Sequence, residues 1–431
     1  MRVCLMNDSF PPVIDGVANA VVNYGEVIQR ELGSCVVATP EYPGAEDDYP
    51  FPVLRYPSLN TERLVGYRTG LPFEVSTLYK LASGKPDLIH THCPATSTLL
   101  ARSLREVTAA PVVLTYHTKF DVDIRKAIHG KLLQEAAIRA LVANVDACDE
   151  VWVVSRGAGE NLESLGYQGP WRVMENGVDL PRGRAEESAV REATAGCDLP
   201  AGLPVFLFVG RLMWYKGIRL ILEGLCRLRE AGREFRMVFV GSGGDEEEIR
   251  AFVRDCGLED SVLFIGAIRS REAIRAWYTR ADLLLFPSSF DTNGLVVREA
   301  AACGTPALLL EGSCAAEGVL DGLSGLLIRE DPESLGEKLL AVSPEKLREI
   351  GEHAQEELYL SWEESVHRAW DRYGEILERW SGTRKKKRLL TPLEDVTEAM
   401  LELREALEAV REKVTEPRRL PPLLRHTNKK E

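Results

Sequence analysis

Residues 283–306 read LLLFPSSFDTNGLVVREAAACGTP. Leu283–Phe286 is a short unbroken apolar run, the pattern of a strand buried on both faces of a parallel sheet. Pro287 closes the run. A helix is expected over 294–303, ended by Gly304, and Pro306–Leu309 begins a further strand. Two carboxylates sit eight residues apart, Asp291 before the helix and Glu299 two turns inside it. Thr292 to Leu295 supply backbone N–H groups that the helix itself leaves free. An anion bound there gains from those donors and from the helix dipole. Carboxylates nearby can accept from sugar hydroxyls. Residue types and spacing together suit a sugar attached to a phosphate.

The same alternation extends both ways. Upstream, Val205–Val209, Met237–Val240 and Val262–Ile265 read as strands, with helices over 216–231, 245–255 and 270–279. Earlier still, Arg2–Met6, Cys35–Thr39, Asp87–His90, Pro111–Thr115, Val151–Val154 and Arg172–Met174 alternate with helical patterns near 17–31, 95–107, 124–144 and 157–165. Strands alternating with helices predict parallel sheets covered on both faces. The pattern pauses over 181–202, a polar stretch with Pro and Gly at its ends, which reads as a linker plus a short helix. The fold class is therefore α/β, two tandem Rossmann-like doubly wound domains with a cleft between them. We place the first at 1–182, the second at 200–360, and assign 361–380 to a helix that returns to the first. Trp362, Val366, Trp370 and Tyr373 recur in it at helical spacing, a packing stripe. Ligands of such sheets bind beyond the strand carboxyl ends.

Composition removes other classes. The chain has 431 residues, 45% hydrophobic and 28% charged, with net charge −13. That balance excludes a disordered chain and argues against a nucleic-acid polymer as partner. Nine cysteines are dispersed, the pattern of reduced thiols. No apolar run reaches the length of a membrane span, and MRVCLMNDSF does not read as a secretory leader. A cytoplasmic location is expected. The tail 383–431 carries 13 basic and 9 acidic side chains, which leaves the body at −17. It opens with the basic run 384–388. Leu393, Val396, Met400, Leu403, Leu407, Val410 and Val414 then form a heptad seam. Such a helix needs a partner: its own body, a second copy paired as a coiled coil through 393–414, or a membrane surface.

Two further segments carry chemistry. Gly210-Arg211-Leu212-Met213-Trp214-Tyr215-Lys216-Gly217 follows VFLFV, and its two cations before a helix suit a diphosphate clamp. Gly241-Ser242-Gly243-Gly244 follows MVFV and permits close approach of a ligand to the backbone. The G-x-G-x-x-G fingerprint is absent, which disfavours a nicotinamide-dependent oxidoreductase. Asp121-Val122-Asp123 has the form of a metal-binding D-x-D but reads more simply as surface carboxylates.

The 287–306 segment resembles the P-S-x-x-E-x-x-G-x-x-x-x-E-A-x-A-x-G-x-P motif of the family-4 retaining glycosyltransferases with the GT-B fold. Pro287, Ser288, Gly294, Glu299, Ala300, Ala302, Gly304 and Pro306 match. GRL-x-x-x-KG (210–217), VSRGAGENLESLG (154–166), ENGVD (175–179), HTHCP (90–94), TYHTKFD (115–121) and PPVIDGV (11–17) are similar to the same family's motifs, in family order over about residues 1–378. DTNGLV resembles a bacterial subset of lipid glycosyltransferases. There are two departures. Asp291 stands where Glu is usual, and Asp15-Gly16 where two glycines are usual.

The resemblance implies a hexosyltransferase using a nucleotide-diphosphate sugar, UDP-sugar favoured, with no cofactor and no metal required. It implies that Arg211 and Lys216 hold the diphosphate, and that Asp291 with amides from Asn293, Gly294, Leu295 and Val296 positions the sugar. Glu299 would accept from the ribose hydroxyls, and Gly16 and Gly241 would allow close approach of the donor. The base would sit at Phe264 to Ile268, and His117 would face the reacting sugar. Of His90 and His92, one would line the cleft and the other be buried. Acid and nucleophile roles are not assigned to the two carboxylates, because front-face displacement is the implied mechanism. The acceptor is a sugar or a lipid hydroxyl of the glycolipid or diacylglycerol type. Arg125, Lys126, Lys131 and Arg139 among apolar residues of 124–144 suggest peripheral contact at the inner face of a membrane. The alternative reading is a non-catalytic nucleotide-sugar-binding relative assembled through the tail, with Asp291 and Asp15 as its support.

Overall fold

The computed structural model describes residues 1–13, 15–62, 67–128 and 130–380. The expected linker and heptad helix of the tail lie outside those residues, as does the coiled-coil pairing through 393–414. In the first half, β1 (Arg2–Met6), β2 (Ser34–Pro40), β3 (Val53–Tyr56), β6 (Leu88–Thr91), β7 (Val112–Tyr116), β8 (Glu150–Val153) and β9 (Arg172–Val173) form one parallel sheet. Its order is β3-β2-β1-β6-β7-β8-β9. A short antiparallel pair, β4 (Ser58–Leu59) and β5 (Thr69–Gly70), stands apart from it. In the second half, β10 (Val205–Val209), β11 (Arg236–Val240), β12 (Val262–Gly266), β13 (Leu283–Leu285), β14 (Ala307–Leu310) and β15 (Leu326–Ile328) form another. Its order is β12-β11-β10-β13-β14-β15. The architecture is the two-domain α/β GT-B fold.

Side-chain alternation explains why both faces are covered. Val3 and Leu5 of β1 enter one core, with Val37, Leu88, Val113 and Trp152. Cys4 and Met6 enter the opposite core, with Ala38, Ile89 and Val112. Successive residues of a strand point to opposite faces, so a strand apolar at every position must be buried on both. The direction of winding reverses between β1 and β6 and again between β10 and β13. Loops at the carboxyl ends of those two neighbouring pairs diverge and leave room for a ligand.

The helix Trp362–Arg379 is capped by Ser361, which accepts from Glu364 N. Its Trp362, Val366 and Tyr373 are buried in the N-terminal core, and Trp370 packs at its margin. Tyr373 stacks on Trp152 with ring centroids 5.4 Å apart. Its hydroxyl lies 2.6 Å from His90 Nδ1, while Thr115 Oγ1 lies 2.7 Å from Nε2. His90 is fully buried. Tyr373→Phe is therefore expected to leave a buried ring nitrogen unpaired and to cost about 1–3 kcal/mol, read from the urea midpoint at constant m-value.

Several elements differ from expectation. The single helix expected over 124–144 is two, Phe120–Ala127 and Lys131–Asp146, because the chain is extended at Ile128 and Gly130 takes φ +103°. The helix expected from 216 begins at Ile218. Trp214–Lys216 forms a separate 3₁₀ turn, with Gly217 at φ +79° between them. β3 and β15 were not anticipated, since VLRY is only partly apolar and LLI is very short.

Candidate active site

The loops after β10 and β13 lie side by side at the switch point and carry Lys216 and Asp291. Lys216 Nζ lies 2.6 Å from Asp291 Oδ1, and Ser288 Oγ donates to Asp291 Oδ2 at 2.6 Å. The Lys216 side chain is buried among aromatic rings, with Nζ 5.8, 5.9 and 5.6 Å from the centroids of Tyr215, Phe286 and Phe290. Arg211 is exposed, and its guanidinium lies 6.0 Å from the Tyr215 ring. Both cations therefore border one aromatic side chain. The structure brings the two expected cations together and adds Asp291 as the ion-pair partner of Lys216.

Next to this pair stands the helix Leu295–Ala302. Gly294 enters it at φ 55°, and no side-chain cap bond is made at its start. Its first amides can therefore receive an anion. One turn along, Glu299 accepts from Arg271 Nη2 at 2.8 Å and from Tyr278 OH at 2.7 Å. An ionised carboxylate has about four acceptor positions, so two remain for ribose hydroxyls. Burial, and then the adjacent Glu299 carboxylate, push the Tyr278 hydroxyl well above its ordinary value, so it stays a donor. Arg271 and Tyr278 belong to no motif legible in the sequence.

The glycine loop is a correction to expectation. A Cβ on Gly241 would lie 1.9 Å from Gly210 O, and one on Gly243 2.2 Å from Leu212 O. Gly210 N donates to Val240 O, and Leu212 N to Ser242 O, both at 3.0 Å. The close approach is thus between the loops after β10 and β11, rather than between Gly241 and open space. Ile268 lies just past β12 and packs at the edge of the C-terminal core. The N-terminal loop is resolved differently from the simplest reading. Asp15 accepts from Val17 N at 2.9 Å and Ala18 N at 2.7 Å, capping its own helix. Its charge is occupied there, while a Cβ at Gly16 would meet nothing within 4 Å.

His117 is more closely enclosed than its sequence suggests. Its ring is buried, with Nε2 3.0 Å from His92 Nδ1 and Nδ1 3.5 Å from Asn176 Nδ2. Its main-chain carbonyl accepts from Thr292 Oγ1 at 2.9 Å. His90 and His92 are both fully buried, so neither lines an open cleft. Burial pushes the His117 imidazole down to about 3 and holds His90 and His92 well below 6.5. The three rings are neutral in the folded chain, whereas the unfolded chain takes up protons once pH falls below about 6.5. Stability should therefore decline as pH falls from about 6.5 towards 3, and a urea titration at several pH values checks this.

The two halves meet through the same segment. Ser155 Oγ donates to Thr292 O, and Glu317 accepts from the amides of Arg156 and Gly157 at 2.6 Å each. Arg298 reaches Glu175 and the Leu358 carbonyl. The long-range contacts of Thr292, Glu317 and Glu175 escaped sequence reasoning because each spans more than a hundred residues. Asp121 accepts from Asn161 Nδ2 at 3.2 Å and pairs with Arg125. A cavity of about 630 Å³ lies between the halves, lined in part by Lys119, Arg156, Asn161, Ser289 and Ser313.

Known proteins agree with this arrangement. The family model described as Glycosyltransferase Family 4 matches residues 14–182, and that described as Glycosyl transferases group 1 matches 194–357. This chain belongs to that glycosyltransferase family. One relative of this family member is D-inositol 3-phosphate glycosyltransferase 2 of Catenulispora acidiphila, 29% identical over 54% of this chain and 58% of its own length. Sulfoquinovosyl transferase of Arabidopsis thaliana is 25% identical over 71% of this chain and 58% of its own. Alpha-monoglucosyldiacylglycerol synthase of Streptococcus pneumoniae is 22% identical over 72% of this chain and 70% of its own. The match thus spans 58% of the length of the first two relatives. Among solved structures, sucrose-phosphate synthase from Thermosynechococcus elongatus superposes with TM-score 0.70 at 22% identity, covering 88% of this chain and 99% of its own. Anabaena HepE in complex with UDP gives 0.67 at 17% identity, covering 88% and 100%. These likenesses carry the fold. Among the described residues, no helix is long and apolar enough to cross a membrane.

Proposed function

We propose that this family member is a retaining hexosyltransferase that moves a sugar from a nucleotide-diphosphate sugar to an acceptor hydroxyl. One observation carries the reading: Lys216, Asp291 and the uncapped start of Leu295–Ala302 converge at the β10/β13 switch point. The diphosphate displaces Asp291 from Lys216 and takes the helix amides, with Arg211 as the outer cation. Freed, Asp291 holds a hydroxyl of the sugar, and Glu299 receives the ribose. As the bond from the anomeric carbon to the diphosphate breaks, its electron pair leaves with the phosphate oxygen. The acceptor oxygen attacks from the same face and gives its proton to that phosphate, so configuration is retained. Lys216 and Arg211 stabilise the charge where it develops, which asks for no metal.

The names of the relatives support an inositol or lipid hydroxyl as acceptor, and the cavity beside Lys119 and Arg156 has room for its polar head. UDP-sugars are the favoured donors, since HepE binds UDP. A cytoplasmic location with peripheral membrane contact accords with this reading, and self-association through the tail belongs to it as well. A thermal-shift screen of UDP-, GDP- and ADP-sugars should single out one donor, because binding to the native state raises apparent stability. Transfer to lipid extract or to soluble polyols, with the product anomer read by NMR, then decides the reaction. An inverted anomer, or a sugar trapped covalently on Asp291 or Glu299, would sink it.

A further inference from the structure

His92 and His117 end the adjacent strands β6 and β7 and face one another, Nδ1 to Nε2, at 3.0 Å. Both rings are buried, and the rings around His92 are Tyr24 at 5.2 Å and His90 at 4.0 Å. Two neutral imidazoles at this distance share one proton, so one ring donates an N–H and the other offers a lone pair. Each neutral ring has a single N–H, and the choice made between them therefore fixes both outer nitrogens. If His117 donated from Nε2, His92 would carry its own N–H on Nε2. That atom is buried and has no hydrogen-bond partner among the described residues. If His92 donates from Nδ1, the partnerless Nε2 is only a lone pair. A buried N–H without an acceptor is the rarer and costlier defect.

We propose that His92 is a positioning residue that fixes His117 as the Nδ1–H tautomer, so that His117 presents a hydrogen-bond donor to the ligand in the cleft. The identity of that ligand rests on the sugar-transfer reading, whereas the tautomer does not. Asn176, whose Nδ2 stands 3.5 Å from His117 Nδ1, needs only a half-turn of its amide to offer Oδ1 to this N–H. At the outer limit of hydrogen bonding, that contact is easily exchanged for a hydroxyl oxygen of the bound sugar. His117 is placed to serve the donor because its own carbonyl already holds Thr292, the neighbour of Asp291.

Histidine ¹⁵N NMR of the full chain at pH 7 tests the tautomer directly, with His117 assigned by its loss in His117→Gln. Protonated Nδ1 and bare Nε2 are expected on both rings. A proton on His117 Nε2, or a charged ring, overturns the proposal without any need for a variant to fold. His92→Asn keeps an N–H donor near the position of Nδ1 and should retain both the signature and most of the turnover. His92→Asp can only accept, so it should move or add a proton on His117 and lower kcat about tenfold, with little change in acceptor KM. Equal kcat in the two variants, each shown folded by thermal unfolding, overturns the role assigned to the donor. Absence of sugar transfer in the wild type defeats the sugar-transfer reading instead, and the spectrum still decides the tautomer.

Discussion

Replacing Lys216 with alanine is expected to lower sugar transfer by about a hundredfold or more while leaving the chain folded. The ammonium lies against three aromatic rings and one carboxylate, in surroundings where charge is weakly screened. Charge that builds on the departing diphosphate meets it there without prior reorganisation of water. Its ground-state partner does not become an orphan on mutation. Asp291 keeps the Ser288 hydroxyl, and its side chain is 22% exposed. With Lys216 buried, losing this pair is expected to cost about 1–3 kcal/mol. Initial rates and thermal unfolding of the same preparation separate the two effects. Unchanged transfer would remove Lys216 from the mechanism. Lys216→Arg tests charge against shape, because a planar fork cannot occupy the space of an ammonium among those rings.

Gly217→Ala is expected to be the most damaging single change to the donor site, and the damage should reach stability as well. Gly217 has φ +79°, and a Cβ there would lie 2.1 Å from Pro287 O. The left-handed backbone alone costs a side chain about 1–2 kcal/mol. Forcing the neighbouring backbone away adds about 1–3 kcal/mol. The displaced atom begins the loop that carries Ser288 and Asp291, so the Lys216–Asp291 contact should be lost with it. A fall of roughly 2–5 kcal/mol in unfolding free energy, read from the denaturant midpoint at constant m-value, together with loss of the donor-induced thermal shift, is the expected outcome. Wild-type stability would show that the two loops do not press together.

Much of this was legible in the chain itself. Strands such as VFLFV and LLLF are apolar at every position, and only burial on both faces accounts for that. The spacing of Asp291 and Glu299 placed the first in the loop before a short helix and the second inside it, and the structure keeps them there. What pairs with what was not legible. Lys216 and Asp291 are 75 residues apart, and nothing local says that their charges meet before a ligand arrives. Glu299 is shared with Arg271 and Tyr278, which lie on a different helix with no motif of its own. Asp15 stands where a glycine is usual, and cap geometry, which depends on backbone angles, turned it towards its own helix. Gly241 was read as room for a ligand, although a neighbouring loop takes that space. That His92, on the next strand, would pack against His117 was equally hidden, because composition cannot reveal which rings meet.

The route of the chain has a further consequence. Val178 N bonds to Leu360 O, and Gly177 packs against the Trp362 backbone, so the outgoing and returning segments cross side by side. The second half is thus an insertion between the first sheet and the helix that completes its core. On a ribosome, residues 205–357 can collapse into a finished unit while the earlier sheet still waits. That sheet lacks Trp362, Val366 and Tyr373 until the chain has been extended past Arg379, so nascent N-terminal half must be kept from aggregating for the whole time its partner is being made.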